Sequence, residues 1–508
     1  FMNGNRRHKK RGGWRTVKFA RVSVSVVSLA ALTTLFTFGS ASVAESLGWM
    51  AHAQIVPLAL AGAGGALAFW FGATLLFGRL YCSWFCPMGV VQDCFGRLRR
   101  LTRAGLRRHP YHWHPGNNRF RYAFVALVVA SAVAGLPLLL TLFDPYSAFG
   151  RIASELVLPV KEFLAGEPVV VGSWLAFAIA AATVAAVGFV SARRGRLVCN
   201  TVCPVGSTLS VLSRYSLFHF EIDTDLCVNC RRCEHNCKSE CINMADHVVD
   251  SSRCVACFNC VDVCENNAVK YTFRHKKLSL PLMQPVNRAP AASVVKAGDA
   301  SDVCDVAGPV RIDRRKFLAA GLLVAATPVL GAVERGRRSV DAVANGSSLM
   351  PQLRAAAPPG RRSMAEFLER CTGCGLCVAR CPSKVLRPSV NELGWLNMLH
   401  PVLDYDRSYC LYDCTQCTDA CPSGALMPLT VEEKHIFIIG RAMVAEPACI
   451  GCGQCERACP RDAVEMVPRA GGRGRKARVK TELCIGCGAC HHVCPARPDK
   501  AIWVEGIV

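Results

Sequence analysis

The sequence predicts a multi-domain membrane protein: a four-helix transmembrane bundle followed by small α+β domains folded around metal-ligating cysteines. Three observations carry this. Four apolar segments fill the first 190 residues, 31 of the 508 residues are cysteine and mostly stand in runs of four, and a twelve-residue motif occurs twice. Length alone allows roughly three to four domains. With 51 % hydrophobic and 19 % charged residues the chain is too apolar for intrinsic disorder. It is also too long for a disulfide scaffold, a device of small secreted domains that lack a core. Metal ligation is the remaining reading of the cysteines.

The apolar segments cover approximately 17–39, 55–77, 120–143 and 169–190, and a helix of about 20 such residues crosses a hydrocarbon core. Basic residues crowd the N-terminal arm (Arg6, Arg7, Lys9, Lys10, Arg11) and the loop after the second segment (Arg97, Arg99, Arg100, Arg103, Arg107, Arg108). By contrast 40–54 has no Lys or Arg, and 144–168 has only Arg151 and Lys161. Positive charge stays on the cytoplasmic side, so the N-terminus and the segment after the fourth span are expected inside. The formal net charge of +23 is thereby assigned to topology and anionic lipid, and no nucleic-acid partner is expected.

The repeat reads Gly-Arg-Leu-Tyr-Cys-Ser-Trp-Phe-Cys-Pro-Met-Gly over 78–89 and Gly-Arg-Leu-Val-Cys-Asn-Thr-Val-Cys-Pro-Val-Gly over 195–206. Each copy follows the second helix of a hairpin, which suggests pseudo-symmetry. The i, i+4 spacing puts two thiols on one helical face, so Cys82, Cys86, Cys199 and Cys203 are expected to converge as a further metal or redox-thiol site.

Six longer runs follow. Cys227, Cys230, Cys233 and Cys237 have the spacing C-x2-C-x2-C-x3-C, as do Cys254, Cys257, Cys260 and Cys264. This is the bacterial ferredoxin run, in which the fourth cysteine ligates the neighbouring cluster. One [4Fe–4S] cluster is therefore expected on Cys227, Cys230, Cys233 and Cys264, the other on Cys254, Cys257, Cys260 and Cys237. Beyond residue 370 stand Cys371, Cys374, Cys377 and Cys381; Cys410, Cys414, Cys417 and Cys421; Cys449, Cys452, Cys455 and Cys459; and Cys484, Cys487, Cys490 and Cys494. Each of these four ends in Cys-Pro. They pair either adjacently or in nested fashion. Six [4Fe–4S] clusters result, in one two-cluster ferredoxin domain and one four-cluster polyferredoxin domain. Zinc competes for any single C-x2-C pair but not for six repeats. Cys487–His491 matches the haem-attachment string inside a complete run, so His491 and His492 are read as surface residues. Cys94, Cys241 and Cys304 are left over as structural.

Between the halves, Arg314-Arg315-Lys316-Phe317-Leu318 opens a modest apolar stretch. It has the form of a twin-arginine export signal, or of a fifth hydrophobic segment. The expected domains are 1–215 (membrane), 216–275 (two-cluster ferredoxin), 276–310 (linker), 311–335 (signal), 336–369 (flexible tether) and 370–508 (polyferredoxin).

Together these features resemble the NapH and NapG families of iron–sulfur quinol dehydrogenase components. Residues 1–275 are NapH-like, with C-x3-C-P motifs and a cytoplasmic two-cluster domain; residues 311–508 are NapG-like or MauM-like. The whole resembles a head-to-tail fusion, and MauN and MauM have a similar organisation. The resemblance implies a protein of the bacterial inner membrane with its polyferredoxin domain in the periplasm. It would oxidise quinol from the membrane quinone pool and pass electrons to a periplasmic reductase or redox partner. The membrane half is also similar to NosR, without its flavin domain, and to a copper-reducing maturation family. The alternative is therefore an assembly factor supplying electrons or handling metal for a periplasmic metalloenzyme. Residues offered for quinol are Tyr111, His112 and His114 in the cytoplasmic loop and Asp144 and Tyr146 at the outer end of the third span. No catalytic residue is assigned, and nothing in the spans explains how electrons cross the bilayer.

Overall fold

A computed structural model describes residues 4–102, 111–167, 169, 171–273, 355–469, 474–497 and 499–507. The expected linker, the twin-arginine segment and Cys304 lie outside the described residues.

Helix α1 (Gly4–Thr37) carries an apolar stretch, Trp14–Thr37, of 24 residues, about 36 Å at 1.5 Å per residue. It is followed by α2 (Ala41–His52), α3 (Ile55–Ala61), α4 (Gly64–Phe77), α5 (Leu80–Trp84), α6 (Pro87–Thr102), α7 (Asn118–Val133), α8 (Leu138–Phe143) and α9 (Pro145–Ile152). A π-helical turn over Ala153–Val157 leads into α10 (Leu158–Leu164), α11 (Trp174–Arg194), α12 (Leu197–Thr201) and α13 (Pro204–Ser213). Among the described residues two helices, Trp14–Thr37 and α11, are long and apolar enough to cross a membrane. The other two expected spans are interrupted. Gly62, at φ +74°, ends α3, and Gly135 at φ +77° with Pro137 separates α7 from α8. A left-handed glycine closes a helix and proline cannot continue one, whereas average hydropathy registers neither. Of the four expected spans, two are found among the described residues as helices long enough to cross, and the other two segments are divided into shorter helices.

The repeat builds one local structure twice. Helix α4 stops at Gly78 (φ +78°) and α11 at Gly195 (φ +57°). A five-residue helix bearing the first cysteine follows each, and the Cys-Pro then opens α6 or α13, with proline at a first-turn position where its lost N–H has no intrahelical use. The motif's final glycine is steric: a Cβ at Gly89 would collide with the Cys82 carbonyl oxygen, and one at Gly206 with that of Cys199.

In the first ferredoxin module β1 (Phe218–Ile222) encloses the hairpin β2 (Ile242–Asn243) and β3 (Val248–Val249), and pairs antiparallel with β4 (Val269–Phe273), Phe218 opposite Phe273. Beyond residue 355, β5 (Leu386–Pro388) pairs with β6 (Pro401–Leu403). Strand β7 (Gly440–Val444) pairs with β10 (Ile502–Gly506) around the hairpin β8 (Val464–Pro468) and β9 (Arg475–Val479). One core, including Phe367, Val402, Ile439, Val464 and Ile502, serves all four C-terminal runs. It also absorbs part of the expected tether. Ala357 and Phe367 are buried, Ser363 caps a helix over Met364–Arg370, and Arg361 donates to the carbonyls of Ala357, Ile439 and Ile507. The tether therefore does not extend through 355–369; Arg, Ala and Pro there serve packing, which composition alone did not reveal.

Helix α1 acts as a ruler between the two cysteine-rich halves. At one end Trp14 stacks on Phe258 at 5.6 Å, and Lys18 Nζ lies 2.7 Å from Asp262. At the other, Phe36 packs on Tyr146 and Phe149, and Arg380 donates to the Phe38 carbonyl at 3.4 Å. Lys18 and Phe36 are about 27 Å apart along the axis. Phe367→Ala should destabilise the C-terminal domain by about 3–5 kcal/mol, measured as a lower thermal midpoint; a residue in a solvated tether would leave the midpoint unchanged.

Candidate metal centres and the residues between them

Each ferredoxin loop must aim three thiols inward within seven residues, or eight in the stretched run at Cys410. In five of the six runs the residues flanking the second cysteine are left-handed. They are Asn229 and Arg231, Ala256 and Phe258, Gly373 and Gly375, Gly451 and Gly453, and Gly486 and Gly488. The stretched run at Cys410 lacks this pair. Glycine adopts the conformation freely; Arg231, Ala256 and Phe258 adopt it at a cost of about 1–2 kcal/mol each.

The loops bring thiols from two runs together. Cys233 faces Cys264, Cys227 and Cys230, and Cys260 faces Cys257, Cys254 and Cys237. In the C-terminal domain Cys377 faces Cys374, Cys371 and Cys421, and Cys417 faces Cys410, Cys381 and Cys414. Cys449, Cys452, Cys455 and Cys494 line one pocket, and Cys490 faces Cys487, Cys484 and Cys459. Fourth cysteines are exchanged between adjacent runs, and the nested pairing is not observed. Backbone N–H groups steady several of these fourth sulfurs: Ala268 N donates to Cys264 Sγ at 3.2 Å, Leu426 N to Cys421 Sγ at 3.4 Å, and Ala463 N to Cys459 Sγ at 3.2 Å.

Burial, reinforced by neighbouring thiols, pushes Cys233 up to about 12 and Cys455 up to about 11. Four thiolates share such a space only around a cationic core. Among the described residues no three His, Cys, Asp or Glu side chains converge closely enough to hold one metal ion, as tetrahedral zinc with sulfur at about 2.3 Å requires. Two of the donor sets, Cys449, Cys452, Cys455 with Cys494 and Cys371, Cys374, Cys377 with Cys421, instead line pockets, which suits a multi-iron cluster.

Cys82, Cys86, Cys199 and Cys203 converge as the repeat implied; all are buried. Gln92 Nε2 donates to Cys199 Sγ at 3.2 Å and Gly206 N to Cys203 Sγ at 3.3 Å. The arginine in position two of each repeat crosses to the other copy. Arg79 donates to the Gly206 carbonyl at 3.1 Å and to Asn200 Oδ1 at 2.6 Å, while Arg196 donates to the Cys82 carbonyl. Arg79 further reaches the carbonyls of Arg253 and Cys254, tying this site to the first ferredoxin module. Arg196 and Lys238 converge on Asp93, with Arg21 at 3.6 Å. Burial alone would raise the Asp93 carboxyl, yet Arg196 and Lys238 hold it well below the usual carboxylate range. The sequence reading passed over this network, although the repeated Gly-Arg-Leu signalled it.

The remaining site residues divide. Tyr111, His112 and His114 pack against the first ferredoxin module: His235 Nδ1 is 3.2 Å from the Tyr111 carbonyl, His112 meets the His235 ring, and His114 Nδ1 is 3.3 Å from Glu240. Asp144 and Tyr146 are buried on α9, within electrostatic reach of Cys374. Cys241 lies 3.4 Å from Cys237, Cys94 is exposed, and His491 lies 3.3 Å from Asp406.

A family model described as a 4Fe-4S binding domain matches residues 58–104 and 173–222, the two C-x3-C-P segments. Models described as 4Fe-4S dicluster domains match 370–426 and 448–497. An uncharacterised protein of Methanocaldococcus jannaschii is 27 % identical over 199 residues, 38 % of this chain and 65 % of that protein. Ferredoxin-type protein NapH of Haemophilus influenzae is 28 % identical over 241 residues (46 % and 73 %). Methylamine utilization ferredoxin-type protein MauM of Paracoccus denitrificans is 30 % identical over 165 residues (31 % and 72 %). The chain thus spans less than two thirds of the archaeal protein. No solved structure matches.

A Cβ at Gly488 would collide with the Tyr405 ring, so Gly488→Val should remove about four iron atoms per chain in anaerobic iron analysis while sparing the other sites. Asp93→Asn should cost about 3–5 kcal/mol, because it leaves buried cations uncompensated. The lowered carboxyl pKa places that stabilisation at neutral pH, to be lost only as pH falls through the depressed value; melting curves at neutral pH report it.

Proposed function

We propose that this chain, which belongs to the family of ferredoxin-type proteins that includes MauM, is a membrane-bound iron–sulfur electron-transfer protein. It oxidises quinol and delivers the electrons to a redox partner or reductase outside the cytoplasm. The single observation that carries this reading is the order of thiol sets along α1. The first ferredoxin module sits at the Trp14 end, the C-x3-C-P quartet contacts the helix through Arg21 and Ser28, and the C-terminal domain meets the Phe36 end.

The six exchanged sets would hold six [4Fe–4S] clusters and the C-x3-C-P quartet a seventh. A bound cluster supplies one-electron exchange with little rearrangement of its ligands. The chain's own residues set its surroundings: N–H donors orient the fourth sulfurs, and the apolar core around Phe367 and Ile439 keeps water away. Arg79, Arg121 and Arg196 offset the negative charge of four thiolates in the quartet. In this reading the N-terminal half corresponds to NapH or MauN and the C-terminal half to MauM or NapG, fused head to tail. The basic arm and first module face the cytoplasm of a bacterial inner membrane. The Arg314-Arg315 segment directs the C-terminal domain outward, and quinol comes from the membrane pool.

Anaerobically purified protein should contain about 28 iron atoms per chain with equivalent acid-labile sulfide, or about 24 if the quartet holds no cluster. Added quinol should generate the EPR signals of reduced clusters. Zinc in place of iron overturns the cluster reading, and intact clusters that quinol does not reduce overturn the quinol reading. A reporter fused after residue 340 should be active outside the cytoplasm.

A further inference from the structure

The C-terminal domain rests directly on the membrane half through its first cysteine loop. A Cβ at Gly150 would strike the Cys374 carbonyl oxygen, one at Gly373 would lie 2.9 Å from Thr141 Cγ2, and one at Gly375 would lie 2.9 Å from Ser154 Oγ. Beneath this loop lies a knot of buried polar side chains, each with an atom that the fold leaves unpartnered. Among the described residues eighteen buried side-chain nitrogen and oxygen atoms have no hydrogen-bond partner. Four belong to one short stretch: Thr141 Oγ1, Asp144 Oδ1, Tyr146 Oη and Arg151 Nε. Their side chains are essentially inaccessible, at 0 %, 1 %, 0 % and 3 % exposure.

The four are mutually close. Tyr146 and Arg151 each lie within electrostatic reach of Asp144 and Cys374. Arg151 Nη1 donates to the Thr141 carbonyl at 2.8 Å. One carboxylate oxygen of Asp144 is spent on the helix, accepting from Ser147 N at 2.8 Å and Ser147 Oγ at 2.7 Å; the other faces no donor. Tyr81, from the first C-x3-C-P copy, is also within electrostatic reach of Asp144, its hydroxyl donating to Gln54 Oε1 at 2.7 Å. Buried polar atoms ordinarily have partners, so a set of four left open together is a seat for a polar molecule.

We propose that this seat binds the head group of a membrane quinol, a deduction that rests on the quinol reading above. A dihydroxyarene matches the set. Its hydroxyl can donate to Asp144 Oδ1, and its oxygens can accept from Tyr146 Oη, Thr141 Oγ1 and Arg151 Nε. The rings of Phe36 and Phe149 supply an apolar wall beside Tyr146. The depth is also right. The seat lies at the Phe36 end of α1 and at the C-terminal end of the third apolar segment, where a lipid-soluble amphiphile presents its polar group. It lies at the seam between the two halves. Asp144 and Tyr146 bind and position the quinol beside the Cys371–Cys421 set.

The test is equilibrium binding of decylbenzoquinol to the full chain in lipid nanodiscs, by calorimetry under anaerobic conditions. Tyr146→Phe and Asp144→Asn should each weaken binding by about tenfold while iron content stays at the wild-type value, which shows that the fold persists. Wild-type binding with both variants equally tight overturns this seat and leaves the quinol reading standing. Absence of decylbenzoquinol binding to the wild type overturns both.

Discussion

Burying four thiolates around one centre is the constraint on which this chain is built. Each sulfur gives up solvation, and its neighbours repel it, so the protein must converge the donors and compensate their charge. In the ferredoxin domains convergence comes from paired left-handed residues around the second cysteine, and the fourth donor is borrowed from the adjacent run. That borrowing ties the C-terminal runs in twos: no run completes its donor set alone, so each adjacent pair folds as partners. Cys421 completing the set of Cys371, and Cys381 that of Cys410, makes the pair indivisible.

The same glycines serve two masters. Gly373 and Gly375 permit the loop around Cys374, and because they lack side chains they also let that loop lie on Thr141 and Ser154. Gly150 answers from the membrane half by admitting the Cys374 carbonyl. Close approach of a thiol loop to a helix end thus follows from residue size at three positions. On the opposite end of α1 the contact is of another kind, made by aromatic stacking of Trp14 on Phe258 and ion pairs from Arg15 and Lys18 to Asp262.

Spacing made the donors legible. Regular intervals in sequence translate into loop geometry, so the exchanged partners of the first module could be written from Cys227–Cys264 alone, and the repeat announced the quartet. Other features depend on contacts between distant residues. The choice between adjacent and nested pairing turned on which loop each fourth cysteine reaches across the shared core. The breaks at Gly62 and Gly135–Pro137 vanish in a hydropathy average because the interrupting residues are few and uncharged. The packing of 355–369 was hidden by a composition typical of linkers, although Ser363 with Glu366 is a helix-start signal that the same stretch carried.

The quartet differs from the other sets in what surrounds it. Around the ferredoxin loops the compensating groups are backbone N–H dipoles joined by single lysines, Lys434 beside the Cys410 run and Lys238 beside Cys257. Around Cys82, Cys86, Cys199 and Cys203 they are full charges: Arg79 and Arg196 exchanged between the repeats, and Arg121 donating to Ser207 Oγ at 3.3 Å and the Gly206 carbonyl at 3.2 Å. Asp93 balances only part of this, since Arg79 and Arg121 are fixed chiefly by carbonyl oxygens. A low-dielectric interior weights such charges heavily. Positive surroundings favour the more negative redox state of whatever the thiolates hold, and net charge is one of the levers that set cluster potential. The arginine in the second position of each repeat therefore does two things: it ties one copy of the motif to the other, and it brings positive charge to the thiols between them.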